Sequence, residues 1–177
     1  MADYYTQTVI HQEIPERLIA PFERMLLAQI LESDERDGNI YYYASEAPGS
    51  FVTLNRVAFQ DALSISRVRS RLRTLVAARL AEAGPDHDYF DVDLTGLPYA
   101  DDAHVILLQD VVRRSKGEIP YLTIAAAYTC NKMRPDAFGG MGIIITPTRI
   151  LYRSTYDFFQ SFEARRARKA ARQSAPP

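Results

Sequence analysis

Cys130 is the single thiol of the chain and the first residue to weigh for chemistry. A working thiolate needs its pKa lowered by a helix N-terminus, a cation or an imidazole. Lys132 stands two residues on, but His11, His87 and His104 lie far off along the chain. No local signature surrounds the cysteine, so a buried strand cysteine is its ordinary reading. One cysteine and scattered histidines give no metal-ligand spacing. Asp86, Asp88, Asp91 and Asp93 with His87 form an acidic cluster, without the glycine and terminal glutamate of a calcium loop. It reads as a strand edge protected by charge. The glycine patterns of nucleotide sites and nucleophile elbows are absent. No catalytic residue, metal or cofactor is assigned.

Two cationic features suit binding instead. In the loop 129–140, Lys132 and Arg134 stand beside Met133 and Phe138. Loops on rigid strands often bind, and an arginine among aromatic neighbours is a good anchor. Pro135-Asp136 favours a turn, and Gly139-Gly140 permits either a positive φ or a close backbone approach. From Gln160 onward, Arg165, Arg166, Arg168, Lys169 and Arg172 face Glu163 alone, a balance of +4, so the preceding 159 residues carry −5 of the overall −1. On a helix, Arg165, Arg168, Lys169 and Arg172 share one face. Such a row fits a phosphate backbone or an acidic protein partner. It is also what a helix C-terminal dipole favours.

The elements that must position these groups follow from pattern. The stretch 121–145 reads as a buried β-hairpin, its two apolar runs joined by the cationic loop. Strands are expected at 4–10, 40–44 and 89–94, with Tyr41 and Tyr43 on one face and Tyr42 on the other. Pro15 should end pairing near it. A helix should start at Pro21, with Phe22, Met25, Leu26 and Ile30 on one face, and stop in the charged run 33–39. Further helices are expected over 54–63, 67–83 and, capped by Asp101 or Asp102, up to Ser115. Gly84-Pro85 should stop the second of these. Ser154 and Asp157 form a capping box for a last helix from 155 to about 172. Leu151, Phe158, Phe159 and Phe162 should dock its first half, the rest projecting, with 174–177 disordered.

The fold class is thus α+β: a mainly antiparallel sheet of four to six strands with helices against it. One domain spans 1–163, and 164–177 form a basic helical extension and tail. With 177 residues, 47% of them hydrophobic, the chain can bury roughly 70% of its unfolded surface without staples. A lone cysteine fits a reducing cytoplasm. No apolar run reaches the ~18 residues of a membrane span, and no secretory signal opens the chain.

The C-terminal stretch TCNKMRPDAFGGMGIIIT, with VILLQDVVRRS (105–115) and PFERMLLAQI (21–30), resembles small uncharacterised proteins of proteobacterial plasmids and phage-like elements. That resemblance implies a mobile-element setting and no known reaction. The group ends in an acidic helix, whereas arginines follow Phe162 here. The expected function is a non-enzymatic interaction module that grips a large protein or ribonucleoprotein complex, as an anti-CRISPR-like inhibitor of host defence would. One alternative is a nucleic-acid-binding accessory protein that uses the basic helix with the 67–73 arginine row. The other is a small enzyme built on Cys130.

Overall fold

The structure, a computed structural model, describes residues 2–84, 87–95, 102–134 and 137–174, with side chains described to residue 169. Strands β1 (Tyr4–Ile10) and β2 (Ile14–Pro15) lead through a 3₁₀ turn to α1 (Pro21–Ile30). Then come β3 (Glu32–Arg36), β4 (Asn39–Ala44), β5 (Phe51–Asn55), α2 (Arg56–Ile65), α3 (Arg71–Glu82) and β6 (Tyr89–Asp93). The chain continues with α4 (Ala103–Arg114), β7 (Leu122–Cys130), β8 (Gly139–Ile145), β9 (Ile150–Ser154) and α5 (Thr155–Ser174). The α+β expectation holds, and the described strand pairs are antiparallel.

Seven strands form the main sheet. β1 lies along one end of β4 and β2 along the other, and β1 alone of the two goes on to pair with β7. The order across the sheet is β3, β4, β1 with β2, β7, β8, β9. The predicted hairpin is β7–β8, with Leu122 opposite Ile145 and Tyr128 opposite Gly139. Its far half is deeply buried, through Leu122, Ile124, Ile143 and Ile145, and Cys130 is the buried residue of β7 at the loop end. Pairing of β2 ends at Pro15, opposite Asn39.

Four strands, β2, β3, β5 and β9, depart from the sequence reading, and two of them carry a clear local cause. The charged run after α1 is not a terminating turn but edge strand β3, with every residue exposed. Asp37 and Gly38 explain it: their φ values of +51° and +75° make the two-residue turn that suits a hairpin. Charge along an outer strand also deters pairing with other chains. Residues 51–55 form β5 before the helix begins, and Asn55 caps α2 by accepting from the Ala58 N–H at 3.0 Å. β5 pairs with β6 in a separate two-stranded sheet. α3 starts at Arg71, so Arg67 and Arg69 lie in the preceding loop.

Helix α4 is the centre of the core. It is buried all round rather than on one face, since Ala103 through Val112 are all buried. It packs against β8 and α3 with α1 beside it, so no side is left to solvent. Its buried Gln109 and Asp110 are paired. Asp110 accepts from the backbone N–H of Arg71 at 3.0 Å, and Gln109 accepts from Arg71 Nη2 at 2.9 Å. Arg114, just past the buried stretch, donates to the fully buried Glu23 at 2.9 and 2.5 Å. Glu23 also accepts from the Ala20 N–H at 3.0 Å, closing the start of α1.

The last helix differs most from expectation. The capping box forms: Ser154 N–H and hydroxyl donate to Asp157 Oδ2 at 2.8 and 2.9 Å, and Asp157 N–H donates to Ser154 Oγ at 3.1 Å. The aromatic residues do not dock. Phe158, Phe159 and Phe162 are 69, 60 and 57% exposed, and Leu151 is 50% exposed. α5 leaves from edge strand β9, and among the described residues its main contacts with the body are with β8 and β9. No helix among the described residues is long and apolar enough to cross a membrane. The predicted turn at Pro135-Asp136, Pro85, the cap at Asp101 and the tail 175–177 lie outside the described residues.

Candidate functional site

The cationic loop and the start of α5 meet at one end of the main sheet. Met141 pairs with Ser154, and the next residue, Thr155, places its hydroxyl 3.3 Å from the N–H of Gly140. A Cβ on Gly139 would lie 3.0 Å from that same oxygen, and one on Gly140 3.1 Å from the Ala126 carbonyl. These glycines therefore serve close approach and not positive φ. Met133 is 88% exposed, and Lys132, Arg134 and Phe138 also face solvent. The loop is held from the N-terminus, which sequence reasoning missed. Asp3 and Asn131 exchange backbone and side-chain hydrogen bonds, including Asn131 N–H to Asp3 O at 3.2 Å. Arg134 Nη1 donates to Tyr4 Oη at 3.4 Å. Only the antiparallel pairing of β1 with β7, Tyr4 opposite Cys130, brings these groups together.

On α5, Tyr156, Phe158, Phe159 and Phe162 stand exposed, followed by exposed Arg165, Arg166, Arg168 and Lys169. The Arg172 side chain lies outside the described residues, although its backbone continues the helix. Asp157 and Ser161 alone are partly covered among residues 155–169, and they mark the side that faces the body. The result is one aromatic and cationic corner made from loop and helix.

Compared with known proteins, the chain matches no protein-family model, no curated protein and no solved structure.

A second feature was invisible in the sequence. Where the sheet runs on past the N-terminal end of α4, its inner face opens into a cleft of about 350 Å³. Thr6, Thr8, Tyr128 and Met141 form the floor, and Asp102 and His104 the helix wall. Burial pushes the His104 imidazole down to about 4, against the opposing pull of the Asp102 carboxylate. Burial raises the Tyr128 phenol, and the Asp102 charge raises it further. A neutral imidazole beside a protonated phenol can donate and accept hydrogen bonds, and so can line a polar cleft without charge. Nothing in the spacing of residues 6, 104 and 128 announces that they line one cleft.

Cys130 is buried, with its sulfur accepting from the Lys132 N–H at 3.4 Å and 4.0 Å from the Asn131 carboxamide oxygen. It does not line the cleft that holds His104. The acidic cluster is used locally: Asp91 accepts from Thr53 Oγ1 at 2.8 Å, and the Thr95 hydroxyl and N–H hold the Asp93 carboxyl below its usual range. Asp86 lies outside the described residues. Among the described residues, no group of three or more His, Cys, Asp or Glu side chains is placed to hold an ion. The arginine row 67–73 is divided. Arg71 donates to the Ile106 carbonyl, and Arg73 to the carbonyls of Leu63 and Ser66, which leaves Arg67 and Arg69 as its exposed members.

Proposed function

We propose that this protein is a non-enzymatic protein-binding module whose capture surface is the corner formed by the 131–138 loop and α5. The observation that carries this reading is the exposure of Tyr156, Phe158, Phe159 and Phe162 in direct continuity with a cationic helix end. Aromatic residues and arginine dominate the energetics of protein interfaces. Contiguous exposed apolar patches mark interaction sites. Lys132, Met133, Arg134 and Phe138 extend the patch from the sheet side. The partner is a large, acidic protein or ribonucleoprotein complex, and the mobile-element resemblance points to one that serves host defence.

Capture from a proteobacterial lysate, with and without nuclease, tests the reading. The expected result is a defined protein partner, retained after nuclease, that cross-links to the corner and is lost in the Lys132→Glu/Arg134→Glu and Arg165→Glu/Arg168→Glu variants. Capture that disappears with nuclease, or falls steeply with salt, would favour the nucleic-acid reading. Capture that survives both variants would remove the corner as the surface.

A further inference from the structure

We infer that α5 pairs antiparallel with α5 of a second copy of this chain, making a two-fold dimer. The inference rests on the reading of α5 as a binding element and names one occupant for its aromatic face.

The helix itself points to this partner. At 3.6 residues per turn, Phe158, Phe159, Phe162, Arg165, Arg166 and Lys169 fall on one side of α5. Asp157 and Ser161, the partly covered residues, fall on the other. The outward side is thus aromatic in its first half and cationic in its second. Phe162 sits at the centre of this pattern. In an antiparallel pair with its two-fold axis at Phe162, residue 158 lies opposite 166, residue 159 opposite 165, and residue 155 opposite 169. Arg166 and Arg165 of one copy then cover the Phe158 and Phe159 rings of the other, while the Phe162 rings meet on the axis. A guanidinium over an aromatic face is favourable, and more so when water is excluded. A parallel pair would instead stack the two cationic halves on each other. The charge distribution therefore selects both the partner and its direction. A two-fold pair also closes, so no aromatic face is left to recruit further copies.

Size sets the expected strength. Three phenylalanines exposed to this degree offer on the order of 100 Å² each. Arginine stems bring the face to on the order of 500 Å² per copy, below the ~800 Å² of a standard interface. A weak, concentration-dependent dimer is expected.

Sedimentation of the full chain over about two decades of micromolar concentration reads this out. The expected result is a monomer that becomes a dimer as concentration rises, and a Phe158→Glu/Phe162→Glu variant that stays monomeric with an unchanged melting temperature. Disulfide trapping in a Cys130→Ser background fixes the geometry. Phe162→Cys should cross-link to itself. Lys169→Cys should cross-link to Thr155→Cys in a mixture but not to itself. A wild-type chain that is monomeric throughout would overturn the dimer, as would a dimer that survives the double glutamate variant. Self-linking of Lys169→Cys would overturn the antiparallel direction. A monomeric wild type whose lysate capture still needs α5 would sink the dimer and leave the binding module standing. A dimer that captures nothing would do the reverse.

Discussion

The buried polar residues show most directly what holds this molecule in one arrangement. Glu23 is fully buried, and burial raises its carboxyl pKa although Arg114 and the Ala20 N–H oppose the rise. The pair joins α1 to the end of α4 across 91 positions of sequence. Breaking it from one side leaves an uncompensated charge in the core. Arg114→Ala should therefore lose about 3–5 kcal/mol in urea denaturation, while replacing both partners with apolar residues of similar size should lose much less. His104 gives a pH signature. The imidazole is held at about 4 in the folded chain, against 6.5 as its ordinary value. Between those values the unfolded chain binds more protons, so stability falls as pH drops through this window. The lost contribution is about 3 kcal/mol. His104→Gln should flatten that part of a stability-versus-pH curve. A variant with the same slope would mean that other groups cause it.

At the scale of elements, turn and cap chemistry decides where strands and helices begin. Gly38 sits at φ +75° with open space around its Cβ position, so the cost of a side chain there is backbone strain alone. Gly38→Ala should destabilise the β3–β4 hairpin by about 1 kcal/mol, with the loss concentrated in faster amide exchange on β3. The Ser154–Asp157 box acts on a helix that is otherwise almost unsupported. Ser154→Ala should speed exchange in the first turn of α5 and leave the global melting temperature nearly unchanged. Equal loss of stability across the whole domain would show that α5 is coupled to the core more tightly than its contacts suggest. These elements were partly legible. The Tyr4–Ile10 strand, the Pro21 helix start and the capping box were read at their observed places, because each has a local chemical cause. β5 was readable and missed: Val52 and Leu54 alternate with Phe51 and Thr53, and Asn55 is a good cap. β3 had no such pattern, since an edge strand in water needs no apolar face.

At the scale of the whole molecule, the body and α5 are nearly independent. The body carries the negative charge and the core, and α5 carries the positive charge and an uncovered aromatic face. A chain ending before Thr155 should fold with the same near-ultraviolet circular dichroism and close to the same melting temperature, yet lose association. If the shortened chain is molten, α5 is part of the core after all. The division also locates the error in the sequence reading. Three phenylalanines at the start of a helix, with Leu151 just before it, look like a docking face, because burial is the usual fate of such residues.

Pattern and composition settled what depends on neighbours along the chain: the α+β class, the hairpin, the Ser154–Asp157 capping box and the presence of a cationic loop and tail. Each is decided by dihedral preference or side-chain spacing within a few residues. Only the tertiary structure decided what depends on distance in space. Helix α4 is buried on every side, Asp3 and Tyr4 grip the loop, and His104 and Tyr128 line one cleft. The sheet ends at β9, so among the described residues the aromatic side chains of α5 stay exposed. Whether an apolar side chain is core or surface depends on which element faces it, and that is set by strand order.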